Sequence, residues 1–170
     1  GNSISSPNLW YPRTCCGWIN THDDVGDILS WGSAAAGQLW RIRVTPESDI
    51  RRLRVGIIGG NITGSLPIPA DQWVHVAVVL PQGKTNIQDV ILYVNGIVDP
   101  APTAIGATIN TSDATDVTMG FDGSAEYLKG YLDDVRIYGR ALTADEIESV
   151  YTTGSTVQRW NVRFGLFTAR

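Results

Sequence analysis

The chain has 170 residues, 43% of them hydrophobic and 18% charged, which fits one globular domain with an ordinary core. Its net charge of −4 argues against a nucleic-acid partner, because phosphate binding needs a basic surface. The longest aliphatic run, residues 76–80, is far shorter than the ~20 residues of a membrane-spanning helix, so no membrane span is expected.

Two adjacent cysteines, Cys15 and Cys16, come early in the chain. Neighbours on a strand point to opposite faces, so the pair cannot close an ordinary disulfide with each other. Three states stay open: two buried thiols, a strained vicinal bridge, or cross-links to another chain. A metal site is not expected here, since no His or Cys follows at ligand spacing.

Short runs with period-2 alternation predict strands, and Gly-rich turns separate them. The run at 73–80 is apolar throughout and predicts a central strand buried on both faces. Asn95-Gly96 is a strong hairpin signal, and a turn is expected around 46–49. The basic cluster of Arg51, Arg52 and Arg54 is interpreted as a solvated strand face. The predicted strands are 27–32, 38–44, 52–57, 73–80, 89–94, 117–121 and 130–138.

One helix is predicted near the C-terminus. Thr143 and Glu146 have the spacing of a capping box, and Ile147, Val150 and Tyr151 form a narrow apolar stripe that ends near Gly154. Many strands and one short helix predict an all-β fold, an antiparallel two-sheet jelly-roll sandwich.

Four stretches together resemble the bacterial laminin-G-like family, which has the concanavalin A-like jelly roll. They are ILSWG at 28–32, DQWVHVA at 71–77, VILYVNG at 90–96, and GYLDDVRIY at 130–138 followed by RALT at 140–143. The order and spacing match over about residues 15–151. The resemblance implies the same sandwich, so residues 1–154 are assigned to one laminin-G-like domain. Trp31 and Trp73 are expected between its sheets, and His75 in its core.

No catalytic constellation is found. Retaining glycosidases need paired carboxylates, and the four Glu residues of this chain do not form that pattern. His22 lies in a polar loop, and His75 is placed in the core. The sequence therefore predicts a protein that is not an enzyme.

Calcium is the one cofactor considered. The resemblance implies that Asp133 completes a structural calcium site with backbone carbonyls; the alternative, that its carboxylate accepts backbone N–H groups inside the sandwich, stays open. Asp23 and Asp24 are weaker candidates, as loop carboxylates suited to a hard cation.

Glycans are possible partners, because an exposed aromatic platform is a common way to bind them. The candidates for such a platform are Trp10, Tyr11, Trp40 and Tyr127. Asn61 and Asn110 begin N-glycosylation sequons.

The two ends depart from the family pattern. Residues 1–13 stand where a first strand is expected, but Pro7 and Pro12 make them a poor central strand. Residues 155–170 follow the helix and are predicted to form an additional strand, because four apolar side chains alternate with others: Trp160, Val162, Phe164 and Leu166.

This surplus strand could fill the vacant place within its own chain, or in the next molecule by β-strand addition. Head-to-tail donation generates a filament, in which Cys15 and Cys16 could form cross-links between subunits. The predicted function is therefore an extracellular filament subunit whose partner is itself. The alternative is a calcium-dependent carbohydrate-binding or adhesion module of a larger secreted protein. Either protein is expected outside the cell or at its surface.

Overall fold

The computed structural model of the chain describes residues 11–22, 25–113, 115–121, 127–155 and 162–163. The strands are β1 (Arg13–Thr21), β2 (Gly26–Trp31), β3 (Trp40–Glu47), β4 (Ile50–Ile57), β5 (Gly60–Pro67), β6 (Val74–Leu80), β7 (Ile91–Val94), β8 (Ile97–Val98), β9 (Thr103–Ile105), β10 (Thr118–Met119), β11 (Gly130–Tyr138) and β12 (Val162–Arg163). A 3-10 turn covers Ile87–Asp89, and the helix α1 covers Ala144–Ser155.

These strands form two antiparallel six-stranded sheets. The first sheet has the order β12-β11-β1-β6-β7-β8, and the second has the order β10-β2-β3-β4-β5-β9. One large apolar core, with side chains from both sheets, lies between them. The predicted jelly-roll sandwich is confirmed.

The first sheet is covered on both faces. In β6 every residue is buried. Val76 and Val78 face the core between the sheets, while Ala77 and Val79 belong to a second cluster that includes Ile147 of α1. The prediction of a doubly buried central strand is thus confirmed, because α1 covers the outer face of this sheet.

Among the described residues, the second sheet has the core on one face, and the other face is exposed to solvent along β3 and β4 but buried at β2. Along β3 and β4 buried and half-buried residues alternate, so that Ile42 and Val44 point inward while Arg41 and Arg43 point outward. This alternation is typical of strands with one face on the core and the other exposed to solvent.

The helix begins at the predicted capping box. The Thr143 N–H donates to Glu146 Oε2 at 2.9 Å, and the Glu146 N–H donates to Thr143 Oγ1 at 3.3 Å. Arg140 donates to both Glu146 oxygens at 2.8 Å. These bonds, with that to the Arg140 guanidinium the strongest, hold the pKa of Glu146 down at about 2.

Several local expectations are corrected. Strand β3 continues through Pro46 to Glu47, and the turn is only Ser48-Asp49, both at positive φ (50° and 64°). Strand β5 was not predicted, although it pairs with β4 and β9. Trp31 is in the core as expected, but Trp73 is half-buried and contacts Tyr131, with 6.3 Å between ring centroids.

The predicted C-terminal strand is present in part. Val162 pairs with Leu132, and Arg163 pairs with Tyr131, so β12 lies on the edge of the first sheet within its own chain. Trp160, Phe164 and Leu166 lie outside the described residues.

Candidate functional site

The outer face of the second sheet is the candidate site, because the only described helix packs on the other sheet. In an antiparallel sheet, residues directly opposite each other share a face. The register places Arg43 opposite Arg54, and Arg54 opposite Thr63; Gly56 lies between Arg41 and Asn61. We call this surface the arginine face. Its outward residues on β2–β5 are Asp27, Ser30, Arg41, Arg43, Thr45, Glu47, Ile50, Arg52, Arg54, Gly56, Asn61, Thr63 and Pro67.

Two adjoining depressions lie on the arginine face, with volumes of about 290 and 410 Å³. Both are lined by Arg54, Asn61 and Ile105. Gly56 lines the larger one, and a Cβ added to it would have no heavy atom within 4 Å. The larger depression thus has bare backbone in its wall, and space above it for a ligand.

Asp27 organises the arginines at one side of the face. Its carboxylate is fully buried and accepts from Arg41 Nε at 2.6 Å and Arg41 Nη2 at 2.8 Å. Arg43 Nε lies 3.7 Å from the same carboxylate. A buried charge needs such partners, so Asp27 and Arg41 hold each other in a fixed bidentate geometry.

The other two arginines differ in their contacts. Arg52 donates to the Ser65 carbonyl oxygen, and its Nε lies 3.7 Å from Glu47 Oε2. Arg54 is half-buried at the junction of the two depressions and makes no hydrogen bond or ion pair with any residue in the described ranges. Its donors are therefore available to a ligand.

A family model described as the Concanavalin A-like lectin/glucanases superfamily, of the laminin-G type, matches residues 6–148. The chain belongs to this superfamily. No curated protein matches it in sequence. In this sandwich the helix packs on the first sheet, and Arg41, Arg43, Arg52 and Arg54 lie on the second.

Solved structures share the fold at low sequence identity. A heptameric SAP-like pentraxin from Limulus polyphemus has 22% identity and a TM-score of 0.61, covering 88% of this chain and 73% of its own. A Bacteroides ovatus protein, proposed to bind carbohydrate, has 20% identity and a TM-score of 0.63, covering 83% of this chain and 41% of its own. This chain thus spans about two fifths of that protein.

A third similar structure is domain 4 of AbnA, a GH43 extracellular arabinanase from Geobacillus stearothermophilus, in complex with arabinotriose. It has 19% identity and a TM-score of 0.57, and the match covers 85% of this chain and 68% of that domain. Similarity at this identity shows a shared fold and leaves the ligand to be argued from the site.

The predicted aromatic platform is not a single surface. Trp40 is 0% exposed in the core, which overturns its assignment as a sugar-stacking residue. Its ring lies 4.9 Å from the buried Arg13 guanidinium. Tyr11 and Tyr127 are 62% and 60% exposed, and Tyr127 stacks on Phe121. Trp10 lies outside the described residues.

A different aromatic cluster was missed from the sequence. Tyr131 lies between Trp73 and His22, at centroid distances of 6.3 and 5.6 Å, and His22 also contacts the Asp71 carboxylate. These residues come from separate strands and loops, so no spacing along the chain could have grouped them.

Asp133 is half-buried on β11. Its Oδ1 accepts the Asp134 N–H at 2.8 Å, a contact closer to the alternative role than to calcium ligation. Within the described ranges, no three His, Cys, Asp or Glu side chains are grouped so as to hold a metal ion. Asp23 and Asp24 lie outside these ranges, and the calcium site stays a prediction.

Both cysteines are free and buried. Cys15 lies in the core between the sheets and Cys16 under α1. Burial raises the pKa of Cys15 to about 12 and that of Cys16 to about 11. Of the three states left open, the structure has the buried thiols. It argues against cross-links between subunits, because neither sulfur is exposed on the folded domain.

The two sequon residues occupy different places. Asn61 lines both depressions of the arginine face, while Asn110 is half-buried beside the buried Thr111. None of the helices in the described ranges has the length and apolarity of a membrane-spanning helix.

Proposed function

We propose that the chain is a non-catalytic carbohydrate-binding domain whose ligand lies on the arginine face. The observation that carries this proposal is a sheet face that no described helix covers, with two adjoining depressions lined by Arg, Asn and Thr side chains. Such side chains can both donate hydrogen bonds and fix the orientation of a hydroxyl-rich ligand. The superfamily, and the arabinotriose complex of a similar domain, support a glycan as that ligand.

The proposed role involves no reaction. Among the described residues of the face the carboxylates are Asp27 and Glu47, and Asp27 is fully buried and paired with Arg41. A paired, buried carboxylate does not take the role of a general acid or a nucleophile toward a sugar. A binding domain of this kind would act outside the cell, as part of a secreted or surface protein.

The test fills the site without changing its charge. Gly56→Leu places a side chain in the open space of the larger depression, and Gly139→Leu is the matched control, since a Cβ there also has no heavy atom within 4 Å. On a glycan array, the wild type and Gly139→Leu should bind the same glycans and Gly56→Leu should not. Equal binding by both variants, each with the wild-type melting temperature, would exclude the arginine face as the site.

The proposed function includes a structural calcium site for which Asp133 is the candidate ligand. If its free carboxylate oxygen helps to hold calcium, calcium should raise the melting temperature of the wild type and leave Asp133→Asn unchanged. Glycan binding that persists in EDTA, with no calcium-dependent shift in melting, would remove the metal from the proposal.

Filament formation is the second candidate. The observation that favours it is that β12 is the outermost strand of the first sheet and pairs with β11 over two described residues. The same pairing, made by another copy, would be β-strand addition. Negative-stain images of the full chain should then show filaments that a chain ending at Gly154 does not form. A full chain that stays monomeric at high concentration contradicts this candidate.

A further inference from the structure

The arginine face carries an excess of positive charge on an acidic protein. Among the described residues of the face there are four guanidinium groups, of Arg41, Arg43, Arg52 and Arg54, and two carboxylates, while the whole chain has a net charge of −4. The local sign is therefore opposite to that of the molecule. A concentrated charge of this kind attracts ligands of opposite sign.

The strand register makes this arrangement of charges unfavourable for the stability of the unliganded fold. Arg43 and Arg54 stand directly opposite each other on neighbouring strands. Like charges in that position destabilise a sheet. Arg43 is compensated by Asp27, but Arg54 forms no ion pair among the described residues, and Glu47, which lines the smaller depression with it, contacts Arg52 instead. An anionic ligand in the depressions would supply the missing counter-charge.

The groups around Arg54 suit an oxyanion carried on a polar ligand. A guanidinium presents a planar fork of donors that matches a carboxylate or sulfate group. Asn61, which lines both depressions, and Thr63, which stands opposite Arg54, add side chains that can bind hydroxyl groups. None of the outward residues of the described strands β2–β5 is aromatic, so a sugar on this face would be held by polar contacts, by charge and by the apolar side chains of Ile58 and Ile105 rather than by ring stacking.

We infer that the ligand is an acidic polysaccharide, with a carboxylate or sulfate group bound by Arg54 and the neighbouring sugar over Gly56. This inference rests on the proposed function and specifies the class of glycan. It also explains why Arg54, placed where the two depressions meet, has no partner in the described part of the fold.

The experiment compares matched acidic and neutral polymers with the intact chain, by isothermal titration calorimetry in about 0.15 M NaCl. One pair is polygalacturonate and its methyl ester, and the other is dextran sulfate and dextran. The wild type should bind an acidic member and not its neutral partner. The pair in which binding appears distinguishes carboxylate from sulfate as the bound group.

Two variants distinguish specific binding at the depressions from nonspecific electrostatic attraction to the protein. Arg54→Gln should weaken binding to the acidic polymer about tenfold or more, whereas Arg140→Gln, which removes one charge beside the helix, should not. Gly56→Leu keeps every charge and should also abolish binding. Acidic-polymer binding that survives Gly56→Leu would be nonspecific attraction and would overturn the inference.

The experiments distinguish failure of the acidic-ligand inference from failure of the carbohydrate-binding proposal. Neutral polymers that bind as tightly as acidic ones, with binding lost in Gly56→Leu but kept in Arg54→Gln, would overturn the acidic ligand and leave the carbohydrate-binding face. No binding to any of the four polymers or to a glycan array would overturn both.

Discussion

Asp99 joins the two sheets through one carboxylate. It follows β8 of the first sheet and accepts from Ser65 and Leu66 of β5 in the second. Oδ2 accepts the Ser65 N–H at 2.6 Å and the Leu66 N–H at 2.9 Å; Oδ1 accepts the Ser65 hydroxyl at 2.6 Å and the Ala101 N–H at 3.2 Å. Burial by itself would raise the pKa of Asp99, but the hydrogen bonds, that from the Ser65 hydroxyl first, outweigh it and lower the pKa.

Asp99→Asn should therefore lower the free energy of unfolding by about 1–3 kcal/mol at neutral pH, because the amide nitrogen cannot accept hydrogen bonds. Urea unfolding measures this, with the exposed Asp113→Asn as control. The lowered pKa of Asp99 also sets the direction of the pH dependence. As the pH falls below the ordinary Asp pKa, the carboxyl is protonated in the unfolded chain before it is protonated in the folded chain. Stability should fall as the pH drops through the folded-state pKa, and less so in Asp99→Asn. An equal acid response in the two proteins would contradict this account.

The buried thiols predict a loss of stability at high pH. The pKa of Cys15 rises from 9.0 to about 12, and that of Cys16 from 9.0 to about 11, chiefly by burial. Between pH 9 and 10 the unfolded chain loses both protons while the folded chain keeps them. The free energy of unfolding should drop there by about 1 kcal/mol for each thiol.

The measurement is urea unfolding under reducing conditions at pH 8 and pH 10, with the double variant Cys15→Val, Cys16→Val as the control. The range stops at pH 10 because burial lowers the pKa of Arg13 to about 10, and its deprotonation acts in the opposite direction. A wild type and a control with the same alkaline loss would show that other groups cause it.

At the scale of the elements, strands with a regular hydrophobic pattern could be predicted from the sequence, and strands without such a pattern could not. β3 and β6 were recognised from alternation and from continuous apolar character, respectively. β5 (GNITGSLP) has two glycines and a buried run without alternation, and its pairing with β4 is irregular beside Asp99. Its strand conformation depends on partners far along the chain, which local propensity does not contain.

Helix α1 offers an element-scale prediction through its capping box. Thr143→Ala removes the acceptor of the Glu146 N–H and should destabilise the helix by about 1 kcal/mol. Because α1 covers Cys16 and Cys15 lies between the sheets, labelling of Cys16 by a thiol reagent should quicken roughly fivefold while that of Cys15 stays slow. Thr143→Ser should restore the wild-type rate. Equal acceleration at both thiols would indicate global rather than local opening.

At the scale of the molecule, the sequence predicted the sandwich but not the arginine face, on which the proposed site lies. The cationic alternation of Arg41 and Arg43, and the cluster containing Arg54, are visible in the chain. That they stand side by side follows only from the pairing of β3 with β4. Trp40 shows the converse: it is a candidate for an exposed aromatic platform in the sequence, yet its position on β3 places it in the core.

The unequal cover of the two sheets gives a last prediction, for hydrogen exchange. The amides of β1 and β6 lie in interior strands covered on both faces, so they should exchange only on global unfolding. Those of β9 and β10, at the two edges of the second sheet, should exchange by local opening and faster by orders of magnitude. A bound acidic polysaccharide should slow exchange in β3, β4, β5 and β9 and leave β6 and α1 unchanged, because the depressions are lined by residues of those four strands. If the ligand instead slowed amide exchange only in α1 and the strands beneath it, the ligand would bind on the first sheet, and binding at Arg54 would be contradicted.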